Sequence, residues 1–318
     1  MWRDRRVLDK TKDNAFYKDV VAGLSLPQKA IPPKYFYDER GSQLFDEICG
    51  VPEYYPTRTE AALLARVASE LAARLANFDH LVEYGSGASR KTRIVLDALS
   101  RLKSYVPMDI SEEFLLGVAD KLNGDYPKLE VVPLVGDFTK DLTLPAEVRH
   151  GRKIGFFPGS TIGNLGPEGG RDFLARARKL LGNDAAFVLG ADLVKDADVL
   201  RAAYNDRAGV TAKFNLNLLS RINRELGANF DECAFHHDAV WNGEESRIEM
   251  HLVSDAAQLV ALNGHTFRFR PGETIHTENS YKFTPARLTA LAKDAGWHAD
   301  EIWTDKEFPF AVALLSAA

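Results

Sequence analysis

The sequence predicts an α/β protein in which helices cover both faces of a largely parallel β-sheet. From residue 80 onward, short apolar runs alternate with segments long enough for helices, which is typical of βαβ units. These runs carry few polar residues, as expected for strands buried on both faces. Residues 195–280 interrupt the alternation, and a single crossover does not need so long a segment. We therefore expect a sheet domain and a second, α+β lobe.

The elements before the interruption follow in order. The first 60 residues are irregular, with turn-forming prolines at Pro27, Pro32 and Pro33. Residues 59–76 are rich in Ala and Leu with apolar positions every three to four residues, which predicts a helix. Strands and helices then alternate, with strands predicted at 80–85, 104–110, 129–138, 153–160 and 185–193, and helices at 93–102, 111–122 and 167–181. Ser111, followed by two glutamates, predicts a capped start for its helix.

The interruption and the C-terminal region contain further elements. A helix is predicted at 213–226, and strands at 247–254 and 266–270. After the interruption, Thr284 followed by Pro285 predicts a helix that ends at Gly296. Two strands close the chain, at 297–305 and 308–316.

Composition excludes several classes of function. Lys plus Arg is 40 against 45 for Asp plus Glu, a formal net charge of −5. Without a block of basic residues, the chain is a poor candidate for binding nucleic acid or an anionic membrane. No stretch reaches the roughly 20 apolar residues that a transmembrane helix needs, and the N-terminus lacks the apolar core of a signal peptide. The two cysteines, Cys49 and Cys233, are typical of a reducing cytoplasm.

A glycine-rich turn after the first strand of the sheet indicates a ligand site. The segment LVEYGSGASRKT, residues 81–92, places Gly85 and Gly87 between a strand and a helix, where backbone N–H groups can approach a ligand. As a dinucleotide fingerprint it fails, because Arg90 occupies the third glycine position. Acids mark three successive strands: Glu83, then Asp109, then Asp137 followed by Phe138.

This arrangement resembles the Rossmann-like class I methyltransferases that bind S-adenosylmethionine. In that reading Asp109 accepts from both ribose hydroxyls, and Asp137 with Phe138 lies beside the adenine. All fall at the carboxyl ends of the strands, where open α/β sheets bind ligands. Lys91 would meet the methionine carboxylate. Two alternatives remain open: Asp109 and Asp137 as ordinary helix caps, and Lys91 as a solvated side chain.

Longer motifs across the chain point to one family. They are KYFYDERGSQLFDEI (34–48), PEYYPTRTE (52–60), PGSTIGNLGP (158–167), AAYNDRAGVTAKFN (202–215), RIEMHL (247–252) and TENSYKF (277–283). Together they are similar to the L-histidine Nα-methyltransferase family of ergothioneine biosynthesis. The resemblance implies three successive methyl transfers from S-adenosylmethionine to the α-amino nitrogen of histidine, giving the trimethylated betaine hercynine.

The resemblance also implies a role for individual residues. Asn164 and Tyr204 would hold the substrate carboxylate, Tyr54, Glu278 and Ser280 would contact the imidazole, and Met250 would pack beside them. Tyr37 would lie near the amine, so Tyr37 and Asn164 are the expected catalytic residues. The expected cofactor-binding residues are Gly85, Lys91, Asp109, Asp137 and Phe138, with no metal. Glu278 favours histidine, because a carboxylate can accept from an imidazole N–H.

The same resemblance divides the chain by function. Residues 1–60 and 196–283 would form the substrate-binding lobe, and residues 61–195 and 284–318 the S-adenosylmethionine-binding domain. The expected partner is a small molecule, L-histidine, rather than nucleic acid or a membrane. We expect the protein to act as a monomer in the cytoplasm.

Several alternatives stay open on the sequence alone. The same scaffold can act on another amino acid or amine, and a nucleotide-binding protein of the NAD type or a catalytically silent scaffold are more distant readings. The tyrosines and Met250 can be core residues, and Glu278 can lie on a solvated edge. Cys233 with His236 and His237 matches no usual zinc spacing. Ser86 lacks the flanking glycines of a hydrolase nucleophile turn.

Overall fold

The computed structural model describes residues 15–87 and 90–318, and these fall into two compact units. The first unit comprises residues 15–54 with Asp196–Asn279, and the second comprises Tyr55–Lys195 with Ser280–Ala318. Within the described residues, no helix is both long and apolar enough to cross a bilayer. The expected signal-free N-terminus lies outside the described residues.

The second unit is built on one large sheet, which confirms the predicted α/β class. Its strands are β2 (His80–Tyr84), β3 (Ser104–Asp109), β4 (Glu130–Val131), β5 (Leu134–Val135), β6 (Lys153–Phe157), β7 (Ala186–Asp192), β13 (Trp297–Thr304) and β14 (Phe310–Ala317). The spatial order is β13-β14-β7-β6-β2-β3-β4, with β5 also paired to β3. Strands β4, β3, β2, β6 and β7 run parallel, whereas β14 is antiparallel to both β7 and β13. Strands β3 and β4 are added on one side of β2, whereas β6 and β7 are added on the other side. The strand order therefore reverses between β2 and β6, and sheets of this kind bind ligands at such a point.

Helices cover both faces of this sheet because its strands are apolar on both sides. Leu81 and Val188 pack into one core cluster, and their strand neighbours Val82 and Phe187 pack into the other. The first cluster lies under α3 (Tyr55–Arg74), α4 (Arg90–Ala98) and α5 (Glu112–Asp125), and the second under α6 (Gly166–Leu181) and α9 (Pro285–Asp294). Successive strand side chains point to opposite faces, so continuous apolar runs produce this three-layer arrangement.

The first unit combines helices with a smaller sheet. Its elements are α1 (Ala15–Leu24), β1 (Lys29–Ala30), α2 (Glu39–Ile48), α7 (Ala197–Tyr204), α8 (Val210–Leu226), β8 (Phe235–Asn242), β9 (Arg247–Ser254), β10 (Gln258–Leu262), β11 (His265–Phe269) and β12 (Thr274–Tyr281), the last of which ends in the second unit. Four strands form a sheet in the order β1-β12-β9-β8, and β10 and β11 form a separate antiparallel hairpin. Strand β1 joins from residues far away in sequence, parallel to β12.

Some predicted boundaries are wrong for identifiable reasons. The strand expected at 129–138 is two short strands, β4 and β5, separated by Pro133, which cannot donate to a sheet. The helix expected at 59–76 starts earlier, at Tyr55, because Pro56 is tolerated in a first turn. The helix expected at 93–102 is Arg90–Ala98. Ser111 stands at the N-cap of α5, yet its side chain makes no capping hydrogen bond.

Candidate active site

The glycine-rich turn lies at the carboxyl end of β2. Gly85 and Gly87 both have positive φ, 67° and 47°, a conformation that residues with a side chain adopt at a cost. The Gly85 N–H donates to the Met108 carbonyl at 2.9 Å, which ties the turn to β3. A Cβ at Gly85 would lie 3.6 Å from the Phe138 ring. The turn therefore presents bare backbone beside an aromatic ring; residues 88 and 89 lie outside the described residues.

Asp109 ends β3 directly beside this turn. Its Oδ2 accepts from the Gly87 N–H at 3.2 Å, and its Oδ1 accepts from the Ser111 N–H at 3.1 Å. Burial raises the pKa of the Asp109 carboxyl, and the hydrogen bonds from backbone N–H groups oppose that shift. The structure thus brings Asp109 and the glycine turn together. The bond to Ser111 gives the carboxylate a local role, and accepting ribose hydroxyls remains a prediction.

Asp137 and Phe138 follow β5 at the same edge of the sheet. The Asp137 Oδ1 accepts from the Thr139 N–H at 2.9 Å. The Phe138 ring lies edge-on to Phe157, with 5.4 Å between ring centroids. Together with Gly85 and Asp109, these residues line the carboxyl ends of β2, β3 and β5. A bent backbone, a strand-end acid and an aromatic face fit an adenosyl group, which needs close backbone approach, hydroxyl acceptors and stacking.

Lys91 lies in the first turn of α4 and is ion-paired rather than solvated. Its Nζ lies 2.6 Å from Oε2 of Glu60, whose side chain is 0% exposed. The next residue, Thr92, donates to the buried Glu83 at 2.6 Å, as does the Tyr105 hydroxyl. Burial raises the pKa of Glu83 to about 7 despite these two donors. The sequence predicted Lys91 as a site residue but did not single out Glu60.

In the first unit, a continuous aromatic cluster includes Tyr37, Phe45, Tyr54 and Tyr204. Tyr37 packs edge-on against Phe45 at 5.8 Å between centroids, and Phe45 packs edge-on against Tyr54 at 6.3 Å. Tyr54 contacts Tyr204 at 6.2 Å, again edge-on. The predicted catalytic residue Tyr37 is thus brought together with the predicted substrate-binding residues Tyr54 and Tyr204. Tyr37 precedes α2, Tyr54 precedes α3, and Tyr204 ends α7. Phe45 and Phe214, whose ring contacts both Tyr37 and Phe45, also belong to the cluster and were not predicted as site residues.

Glu278 and Met250 lie on the sheet of the same unit. Met250 is 2% exposed on β9, and its carbonyl accepts from the Thr277 hydroxyl of β12 at 3.0 Å. Glu278 is 8% exposed, so it does not lie on a solvated edge. Burial raises the pKa of Tyr54, and the charges of Tyr204 and Glu278 are among the groups that raise it further. A carboxylate therefore lies close enough to the tyrosine cluster to act on it electrostatically.

Asn164 and Ser280 belong to the second unit. Asn164 is half-buried in a short 3₁₀ helix, Thr161–Leu165, that follows β6. A Cβ at Gly163 would lie 2.6 Å from the Tyr281 carbonyl oxygen, so this glycine allows the helix to pack on the end of β12. The buried Ser280 accepts from the Lys282 ammonium at 2.8 Å. The predicted pairing of Asn164 with Tyr204 remains a prediction.

A buried charge cluster at the end of β7 was missed by the sequence analysis. Asp192 accepts from the Tyr55 hydroxyl at 2.5 Å and from Lys282 at 3.0 Å, and it also forms an ion pair with Lys195. Asp192 and Lys282 are both fully buried. Burial lowers the pKa of Lys195 to about 8, with Lys282 adding to that effect. These residues come from three separate segments, so sequence spacing alone does not bring Tyr55 and Lys282 to Asp192.

Two groups of potential metal ligands have other partners. His237 contacts the Tyr204 carbonyl and Asn215, and His236 pairs with Asp255, while Cys233 is exposed. Glu249, His251 and His276 bring one potential ligand atom each within 4.8 Å of one another. The Glu249 carboxylate already accepts from Asn242, Arg247 and His251, which lowers its pKa to about 2. His276 stacks on the His251 ring and bonds to the Glu278 carbonyl, so each member of the trio has a partner on the sheet of the first unit.

Comparisons with known proteins identify the family and the fold of the chain. A family profile described as "Histidine-specific methyltransferase, SAM-dependent" matches residues 16–317. The histidine N-alpha-methyltransferase of Mycolicibacterium smegmatis is 43% identical over 306 residues, covering 94% of each chain. Ergothioneine biosynthesis protein 1 of Neurospora crassa is 30% identical over 288 residues, which cover 87% of this chain and 32% of that protein. The solved mitomycin 7-O-methyltransferase MmcR aligns with 100% of this chain and 68% of its own, with a TM-score of 0.50 and 12% identity, which indicates a shared fold.

Proposed function

The chain belongs to the histidine-specific, S-adenosylmethionine-dependent methyltransferase family, and we propose that it methylates the α-amino nitrogen of L-histidine three times to give hercynine. The observation that carries the substrate assignment is the tyrosine cluster of the first unit with a buried carboxylate, Glu278, beside it. A carboxylate accepts a charge-assisted hydrogen bond from an imidazole N–H, a bond that the apolar side chains of other amino acids cannot supply.

The methyl donor binds at the carboxyl edge of the large sheet. Gly85 allows the backbone to approach it, Asp109 accepts from its ribose hydroxyls, and Asp137 with Phe138 flanks its adenine. Lys91 meets its methionine carboxylate. The support for these roles is that all five residues lie in one unit, around the ends of neighbouring strands.

The substrate roles follow the chemistry of each side chain. Asn164 and Tyr204 hold the carboxylate of histidine, because amide N–H and phenol O–H groups donate. Tyr54, Glu278 and Ser280 contact the imidazole, and Met250 packs against it. Ser280 already accepts from Lys282, and an ammonium only donates. The Ser280 oxygen therefore has a defined acceptor role towards Lys282.

S-adenosylmethionine carries the methyl group on its sulfonium sulfur. The amine nitrogen attacks the methyl carbon in line, the carbon–sulfur bond breaks, and S-adenosylhomocysteine leaves. The protein must keep the amine neutral and aligned for each transfer. One proton leaves the substrate nitrogen before each of the three transfers, and the product is a quaternary cation. Tyr37 lies near the amine, where its aromatic face stabilises the growing cation.

A product assay tests the proposal directly. Purified protein is incubated with S-adenosylmethionine and each of the amino acids in turn, and products are followed over time by mass spectrometry. We expect mono-, di- and trimethylated histidine in succession, with little methylation of other amino acids. Accumulation of a monomethylated product alone would contradict trimethylation. Preferred turnover of tryptophan or another amine would contradict the substrate assignment and leave methyl transfer intact.

We also propose that the product enters ergothioneine biosynthesis and that the protein acts as a monomer in the cytoplasm. The fungal relative carries ergothioneine biosynthesis in its name. Neither Cys49 nor Cys233 forms a disulfide, which suits a reducing compartment. Size-exclusion chromatography with light scattering measures the oligomeric state; a dimer would contradict this part of the proposal.

A further inference from the structure

Glu60 places a buried carboxylate next to Lys91, one of the predicted cofactor-binding residues. It lies on α3 and is 0% exposed, although acidic side chains are rarely buried without a specific partner. Its Oε2 accepts two donors at once, the Lys91 ammonium at 2.6 Å and the Gly159 N–H at 2.8 Å. Lys91 begins α4, and Gly159 follows β6, so one oxygen atom joins two segments at the carboxyl edge of the sheet.

The surroundings of Glu60 hold the carboxylate in this position. Its Oε1 is buried and has no hydrogen-bond partner among the described residues. A Cβ at Gly190 would lie only 1.9 Å from that oxygen, so the carboxylate packs directly against the β7 backbone. An oxygen buried in this way carries a desolvation cost. The two bonds to Oε2 offset part of that cost, which ties the position of Glu60 to Lys91 and Gly159.

The two hydrogen-bond partners of Glu60, Lys91 and Gly159, are associated with different predicted ligands. Lys91 is the residue predicted to meet the methionine carboxylate of the cofactor. Gly159, with φ 83°, opens the loop that continues into the 3₁₀ helix carrying Asn164, a residue predicted to hold the substrate. A Cβ at Gly159 would lie 3.2 Å from the Lys91 ammonium, so the loop and the lysine are in close contact.

We propose that Glu60 is a positioning residue that links the cofactor-binding lysine, Lys91, to the substrate-binding loop after β6. This inference rests on the proposed function. The carboxylate restricts the flexible lysine side chain, which otherwise loses rotamer freedom each time a ligand binds. The same oxygen holds the Gly159 N–H, so the loop bearing Asn164 takes its position from the same group. Loss of Glu60 then weakens the binding of both ligands.

The test uses the full-length protein and isothermal titration calorimetry with S-adenosylhomocysteine and with histidine. Glu60→Gln keeps the shape of the side chain and removes its charge. We expect it to weaken S-adenosylhomocysteine binding at least tenfold and histidine binding at least threefold, with the fold intact by circular dichroism. Glu70→Gln, an exposed glutamate on the same helix paired with Arg74, is the control and leaves both affinities unchanged.

A double-mutant cycle with Lys91→Met separates positioning from a general structural role. If Glu60 acts through Lys91, adding Glu60→Gln to Lys91→Met weakens S-adenosylhomocysteine binding less than twofold further, while histidine binding still falls. Fully additive losses would overturn the proposal, as would unchanged affinities in Glu60→Gln.

A second variant covers the case in which Glu60→Gln does not fold. Gly190→Ala places a methyl group where the Glu60 Oε1 lies and displaces the carboxylate without removing its charge. We expect the same weakening of both ligands, and unchanged affinities would overturn the proposal. A wild-type protein that binds S-adenosylhomocysteine but not histidine would instead contradict the proposed function.

Discussion

At the scale of single residues, Asp192 is a fully buried carboxylate that balances the charges of two lysines. Two ammonium groups, Lys195 and Lys282, and the Tyr55 hydroxyl converge on this one carboxylate. Removing one partner of a buried ion pair is strongly destabilising because the other charge stays buried and unpaired. Both lysines pair with Asp192, so its loss leaves two ammonium groups without this carboxylate.

We therefore expect Asp192→Asn to lower the free energy of unfolding by about 3–5 kcal/mol. Asp198→Asn is the matched control, because Asp198 is 84% exposed beside Arg201, and exposed pairs contribute up to about 1 kcal/mol. Urea denaturation measures both. Equal effects in the two variants would show that the Asp192 cluster does not stabilise the fold.

Asp109 gives a second prediction at this scale. If it accepts from ribose hydroxyls, Asp109→Asn weakens S-adenosylhomocysteine binding by about 1.5–3 kcal/mol, the range for hydrogen bonds to a charged group. Calorimetry measures the change, with Asp120→Asn on the exposed side of α5 as the control. An unchanged affinity in a folded Asp109→Asn protein would reduce Asp109 to its observed bonds with Gly87 and Ser111.

Glu278 decides selectivity if the proposed function holds. Glu278→Gln replaces an acceptor-only carboxylate with an amide that also donates, so we expect kcat/KM for histidine to fall at least tenfold, roughly 1.4 kcal/mol. The kcat/KM for phenylalanine and for leucine should fall much less, because their side chains cannot donate to the carboxylate. Steady-state rates with the three amino acids measure this. Glu273→Gln, near the start of the same strand, should change none of them; an equal loss for all substrates in Glu278→Gln would make Glu278 structural.

At the scale of elements, helix caps can be compared within this chain. The Thr284 hydroxyl accepts from the Arg287 N–H at 3.2 Å at the start of α9, whereas Ser111 makes no such bond at the start of α5. Replacing a capping Ser or Thr by Ala costs about 0.5–2 kcal/mol. We expect Thr284→Ala to destabilise the protein by about 1 kcal/mol and Ser111→Ala by clearly less. Thermal unfolding compares them, and equal shifts would contradict the cap geometry.

The strands of the large sheet could be predicted because burial on both faces makes them apolar throughout. Strands β8, β10 and β12 were missed. In β8, FHHDAVWN, the buried positions are Phe235, His237 and Ala239; because one of the three is a histidine among polar neighbours, the sequence shows no clear apolar alternation. Helix α7 was missed although Asp196 caps it through the N–H groups of Asp198 and Val199. Eight residues are too few for periodicity to decide.

The residues of the candidate site that belong to sequence motifs could be predicted. Those that are brought together only by tertiary contacts could not. Gly85 and Asp109 follow consecutive strands, so their proximity could be expected from the βαβ pattern. Glu60 and Asp192 gave no such signal. Glu60 lies on a helix among residues with ordinary spacing, and its partners come from two other segments. A buried acid on an amphipathic helix looks like a surface residue until the layers are packed.

At the scale of the whole molecule, the buried Glu83 makes stability depend on pH. Its pKa is raised from 4.5 to about 7, so the folded protein binds a proton that the unfolded chain releases. Its contribution to stability is full below pH 4.5 and declines as the pH rises towards 7. We expect Glu83→Gln to unfold at a higher temperature than the wild type, by a margin that grows from pH 5 to 7 and then levels. A margin independent of pH would show that Glu83 titrates normally.

Strand β1 cannot pair with β12 until most of the chain has been synthesised. It pairs with Ile275 and His276, and the neighbouring Gln28 bonds to Thr274 across 246 residues of sequence. At about 5–20 residues per second, a ribosome needs roughly 12–50 s to make the intervening chain. During that time β1 has no β12 to pair with, and the unit in which Phe16, Val20 and Leu24 become buried is incomplete. We therefore expect chaperones that bind apolar chain to associate with residues 15–30 during synthesis, and faster translation to shorten that association.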